Sequence, residues 1–150
     1  MLPETIELQV VTPERHVLQE SVQAVEIPGK EGYLGVLPGH APLITELGIG
    51  ILTYHKGSQA RYLTVIHGYA EVLPGRVIVL AEVSERAEEI DLARTLAAHE
   101  RAQAEIARAS AGDAEWRQAS FALQRAMVRQ QAATRGGAGA GAQEPGSSAS

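Results

Sequence analysis

From residue 5 to residue 83 the apolar positions come in short runs, many of them β-branched, cut repeatedly by turn-forming residues. Ile6, Leu8 and Val10 alternate with Glu7 and Gln9, which is the pattern of a strand with one buried face. Thr12-Pro13-Glu14-Arg15 then turns the chain, and further runs follow at 22–27, 33–37, 49–54, 62–66, 69–73 and 77–81. Short strands at such regular spacing predict an antiparallel sandwich or flattened barrel. Lys56-Gly57-Ser58 and Leu73-Pro74-Gly75-Arg76 read as hairpin connections, because glycine and proline supply the dihedrals that tight turns need.

After Glu85 the period lengthens from about two to about 3.6, and alanine becomes dense. One helix is predicted over 92–109 with Asp91 as its N-cap, and a second from 114 to about 133 with Asp113 as cap and Gly112 in the break. So short a break makes an antiparallel hairpin. Leu92, Leu96 and Ile106 lie near one face of the first helix, while Trp116, Ser120, Leu123 and Met127 form a stripe on the second. Alanine buries little area, so at about 25 cal/mol per Å² the pairing is expected to be weak. The chain therefore divides into a sandwich at 1–86, a helical hairpin at 87–133 and a Gly/Ala/Ser tail at 134–150, which is too poor in large apolar residues to be expected to order.

A net charge of -5 with no basic face argues against nucleic acid as a partner. Cysteine is absent, which excludes disulfides and thiolate metal sites. The opening MLPETIELQV has neither a basic region nor a continuous apolar stretch, so no secretory signal is read there. No window approaches the roughly 18 apolar residues of a membrane span, and direct membrane insertion is not expected.

Two features carry candidate chemistry. The first is the segment YLGVLPGHAPLIT at 33–45, where two prolines and a glycine surround His40 and make a stiff loop between apolar runs. From spacing alone the ordinary reading, a polar residue at a strand turn, remains the favoured one. The second is a set of arginines, for every basic residue of the hairpin is arginine. Arg94, Arg101 and Arg108 recur every seven residues, and Arg125 and Arg129 are four apart on the second helix. Guanidinium groups converging on one face suit phosphate oxygens, although a solvated arginine face is the common alternative. Catalysis is not expected, because the five histidines show no metal-site spacing and there is no phosphate loop, dinucleotide fingerprint or nucleophile elbow.

The runs TPERHVL, IPGKEGYLGVLPGHAPLIT, YAEVLPGRVIVLA and ERAEEIDLAR, in this order across residues 5–133, resemble the epsilon subunits of F-type ATP synthases. The resemblance implies a sandwich of about ten antiparallel strands followed by a two-helix hairpin. It implies a non-catalytic rotor subunit, bound to the gamma subunit and standing on the c-subunit ring, peripheral to the cytoplasmic face of a bacterial cell membrane. Contact with the ring would fall to His40 and to Tyr33, which stands where the family often has an acidic residue. No cofactor is implied as a requirement, but ATP is implied as a regulatory ligand. Ile90, Asp91 and Arg94 follow the family's nucleotide motif, with Thr95 in place of its alanine; Glu85, Arg101, Arg125 and Arg129 complete the set. In this picture the hairpin extends to the alpha-beta hexamer to block hydrolysis and folds back when ATP binds. A stand-alone ATP sensor of the same fold, and an adhesion or carbohydrate module with a helical stalk, are the other readings.

Overall fold

A computed structural model describes residues 3–110 and 112–141. Seven strands form one sheet in the order β2-β1-β7-β6-β5-β3-β4. They are β1 (Ile6–Val11), β2 (His16–Val22), β3 (Ala24–Gly29), β4 (Gly32–Val36), β5 (Leu43–Lys56), β6 (Gln59–Leu73) and β7 (Arg76–Arg86). A 3-10 turn, Ala87–Glu89, leads to helices α1 (Leu92–Arg108) and α2 (Ala114–Gly141).

The count is seven rather than the expected ten because β5, β6 and β7 each cross a fold line and serve both layers of the sandwich. The alternation of buried residues records the bend. On β5, Leu47 faces the main core, yet so do Leu52 and Tyr54, whose parity is opposite. On β6, Leu63 and Val65 face it before the bend, and Ala70 and Val72 after it. At the bend of β6, His67 has φ 54° and Gly68 φ 115°. A Cβ on Gly68 would collide with the Leu80 carbonyl oxygen, so only glycine passes there. Counted once in each layer, the three long strands account for the expected number.

A second departure is that β1 pairs parallel with β7, with Leu8 opposite Val77, whereas every other pairing among the described residues is antiparallel. The sheet folds over so that residues from both of its ends, such as Leu8 and Ile27, fill one aliphatic core. The two predicted hairpins form with Lys56 opposite Gln59 and Leu73 opposite Arg76.

In the hairpin Asp91 caps α1, its carboxylate accepting from the Arg94 amide at 3.2 Å. Gly112, with φ 94°, occupies the break. The seam differs from the expected one. Thr95 and Ala102 of α1, with Ala119 and Ala126 of α2, are buried, while Leu92, Leu96 and Met127 are more than two-fifths exposed. Small residues let the helices approach closely, and the bulkier stripe is left outside. Only α2 is closely packed on the sandwich, placing Val128 and Ala132 against Ile51, Ile66 and Ala87. α2 also continues beyond residue 133 to Gly141, and Gly136 is so near Ala87 that an added Cβ would lie 3.0 Å from the alanine methyl. The remainder of the expected tail, residues 142–150, lies outside the described residues.

Candidate functional site

The loop around His40 is built as a type II turn. Pro38 and Gly39 are its central residues, Gly39 has φ 91°, and the His40 amide donates to the Leu37 carbonyl at 3.1 Å. The Gly39 amide donates to the Pro74 carbonyl at 2.7 Å, tying this loop to the β6–β7 turn. The His40 ring is half-buried, and its Nδ1–H donates to the Ala41 carbonyl at 2.6 Å. Around it stand Leu37, Leu43 and Ile44, which are 64%, 40% and 70% exposed. The tip is therefore an apolar knob with one imidazole in it. Sequence reading named His40 and overlooked these aliphatics; the signal was that apolar residues on both sides of the loop exceed what the strand ends can bury.

Tyr33 lies at the other end of β4 and has a different task. Between Glu26 and Gly29 of β3 the pairing to β5 is interrupted, so the Ile51 amide lacks a ladder partner. The Tyr33 hydroxyl accepts from it at 3.1 Å. This is possible because Gly50 leaves room; a Cβ there would lie 2.6 Å from the Tyr33 oxygen. The ring itself is 56% exposed, so an outward contact stays open to it. On the outer face of β6 and β7, Tyr69 and Leu80 are cross-strand neighbours, each 55% exposed. A cleft of about 320 Å³ lined by Val11, Pro13 and Leu80 adjoins them.

The arginines divide into groups. Arg101, Arg125 and Arg129 line one groove between α1 and α2, floored by Ala98, Ala102, Ala122 and Ala126, with Glu105 on its rim. Arg129 is held by Glu85 through Nε–Oε1 and Nη2–Oε2 contacts of 2.8 and 3.3 Å. The Thr64 hydroxyl fixes the end of β7 by accepting from the Glu85 amide at 3.0 Å. Ile90 instead lines a separate cleft beside Tyr62 and Gly136, and Asp91 is occupied as a helix cap. Arg94 is exposed, and Thr95 is fully buried with its hydroxyl donating to the Asp91 carbonyl at 2.9 Å. Of the seven residues expected at a nucleotide, the structure thus gathers Arg101, Arg125, Arg129 and, through its ion pair, Glu85. Ile90, Asp91 and Arg94 do not join them.

The linker to the hairpin carries its own network. Arg15 reaches Glu89 at 2.6 Å and Arg86 meets the same carboxylate at 2.7 Å. Hydrogen bonding from Arg15 is the main cause that holds the Glu89 carboxyl below the usual carboxylate range; burial opposes it, and the weaker hydrogen bond from Arg86 adds to the lowering.

The beta-sandwich domain of the ATP synthase Delta/Epsilon chain matches residues 5–87, and the long alpha-helix domain of the same chain matches residues 88–134. The chain belongs to that family. It is 47% identical over 138 residues to ATP synthase epsilon chain 2 of Syntrophotalea carbinolica, an alignment covering 92% of this chain and 100% of the relative. It is 56% identical over 104 residues to the ATP synthase epsilon chain of Solibacter usitatus, covering 69% and 78% of the two chains. Among solved structures it resembles a chain of the Euglena gracilis mitochondrial ATP synthase OSCP/F1/c-ring assembly, with 31% identity, a TM-score of 0.72 and coverage of 83% and 78%. A chain of the Tetrahymena thermophila mitochondrial ATP synthase central stalk and c-ring shares the fold, with 11% identity and a TM-score of 0.53. The chain is accordingly a non-catalytic epsilon-type subunit of an ATP synthase. No helix among the described residues is long and apolar enough to cross a membrane.

Proposed function

We propose that this subunit works in the central rotor stalk, with the His40 loop as its footing on the c-subunit ring and the flank of β6 and β7 as its surface for the gamma subunit. The observation that carries this reading is the exposed knob of Leu37, Leu43 and Ile44 on a turn that is hydrogen-bonded at both its own and a neighbouring hairpin. Apolar residues presented on a rigid turn favour a protein partner, and their exposure has no use in the isolated domain. Tyr69 and Leu80 offer a second such patch. The subunit would then be peripheral to the cytoplasmic face of the bacterial membrane, held there by its partners.

The hairpin is the regulatory arm in this proposal. Docked on the sandwich it leaves the motor free; extended along gamma it reaches the alpha-beta hexamer and blocks hydrolysis. ATP would bias it toward the docked form through Arg101, Arg125 and Arg129, whose guanidinium groups suit a phosphate chain. The groove, at about 190 Å³, is smaller than pockets that enclose a nucleotide, about 300–1,000 Å³. The phosphates would therefore enter it while the base lies outside, or the helices would part.

The deciding experiment is reassembly of the ATP synthase with Leu37→Glu/Ile44→Glu, which should lose proton-coupled synthesis while the isolated protein keeps its stability. Unimpaired coupling would remove the footing assignment. Calorimetric titration of the isolated protein with ATP tests the regulatory ligand separately: no heat at millimolar ATP would end the nucleotide reading and leave the rotor reading intact. Co-purification with a gamma subunit would exclude a stand-alone sensor.

A further inference from the structure

Where α2 crosses the bend of β6, three side chains stack. The His67 imidazole lies 6.1 Å from the Phe121 ring, centroid to centroid, with 10° between the planes. The Arg125 guanidinium sits 5.5 Å over the same phenyl ring. Both distances are within the range of attractive aromatic and cation–π contacts. Phe121 is 38% exposed and belongs to neither of the two buried clusters. It is therefore held by its stacking partners rather than by enclosure.

His67 is also the single described non-glycine residue with positive φ, at 54°. A side chain in that region is held there against a backbone preference that glycine would satisfy freely. The strained residue therefore carries the ring that meets the hairpin. Elsewhere α2 is held by a small apolar cluster around Val128 and Ala132 and by the Glu85–Arg129 ion pair, both nearer its C-terminal half. The stack extends the docking contact toward the N-terminal half, near the hairpin's loop.

We propose that His67, Phe121 and Arg125 form a latch that sets the balance between docked and undocked hairpin, with His67 as the sandwich half of the latch. The latch rests on the reading of the hairpin as a two-state arm, and its regulatory consequence rests further on the extended arm blocking hydrolysis. It also gives Arg125 two neighbours, the phenyl ring and the groove, so an anion bound in the groove would act on the latch directly.

The test uses the full chain. Because it has no cysteine, Ser58→Cys and Gln103→Cys, both at exposed positions, take a unique pair of spin labels. In this background His67→Gly removes the ring and relieves the backbone at once. The expected result is a roughly fivefold to tenfold rise in the undocked-to-docked ratio read from the distance distribution, with the sandwich melting temperature unchanged or raised. Phe121→Ala should match it, and Phe121→Tyr, which keeps the stack, should give the parental distribution. An unchanged distribution in His67→Gly would overturn the latch, as would a hairpin equally opened by Phe121→Tyr. Hydrolysis by ATP synthase assembled with His67→Gly separates the two ideas: opening without altered hydrolysis would sink the regulatory reading and leave the latch standing.

Discussion

The sandwich and the hairpin of this chain solve the same problem, burying an apolar face, with opposite materials. The sandwich encloses large aliphatic side chains such as Ile6, Leu8, Leu52 and Leu63 at 0% exposure, on strands whose ladders span long sequence separations. The hairpin closes on Thr95, Ala102, Ala119 and Ala126, and leaves its leucines partly in water. At about 25 cal/mol per Å² the first arrangement gains several times more per residue than the second. A sandwich of this kind has one state. A hairpin of this kind suits the proposed regulatory arm, which leaves its dock while the sandwich stays folded.

Substitutions can break or sharpen that contrast, beginning with the largest effect. Leu63→Ala should destabilise the sandwich by about 2–5 kcal/mol in urea denaturation, whereas Ala102→Gly in the seam should lose only about 1 kcal/mol and leave the sandwich transition in place. Equal effects on one shared transition would show that the two regions unfold as a unit. Next, Tyr33→Phe should remove about 1–2 kcal/mol from the sandwich, because the Ile51 amide loses its acceptor. A neutral result would mean that water replaces the phenol. Glu85→Gln should weaken docking by about 1 kcal/mol, since the pair with Arg129 is only part-buried and still reached by water, and speed amide exchange in α2 while β-strand amides stay protected. The smallest effect is expected at the linker. The Glu89 carboxyl is held low by Arg15 and Arg86, so its stabilisation is present at neutral pH and is lost as pH falls through its folded value. Glu89→Gln should therefore differ from the parent at pH 7 and converge with it in acid; a constant difference would assign the effect to packing.

What was legible in the sequence was local. Alternation at Ile6, Leu8 and Val10, the glycine turns at 57 and 75, and the Asp91 cap each depend on neighbours a few residues away, and each appears where the pattern placed it. What was not legible depends on the fold. The bend that makes three strands serve two layers shows only as a change of parity, which a run-by-run reading splits into separate strands. The parallel β1–β7 pair joins segments some seventy residues apart, as Leu8 with Val77 does, and no local signal specifies it. In the hairpin, ranking residues by hydrophobicity chose the leucine stripe, but close helix approach selected threonine and alanine instead. The segment from residue 134 is not expected to order, yet α2 continues through it as far as Gly141, with Gly136 fitted against Ala87. For the candidate site, the sequence singled out the arginines; which of them share a groove depends on how α1 and α2 pair, and that is a property of the fold.

The hydrogen bond from Gly39 to Pro74 has a mechanical consequence. A loop joined only to β4 and β5 would deflect like a cantilever when pushed sideways. Cross-braced to the β6–β7 turn, it passes a lateral load into β6 and β7, which with β5 are the longest strands, and these carry it through the bend toward the opposite layer. The sandwich is thereby loaded as a whole frame rather than at one corner.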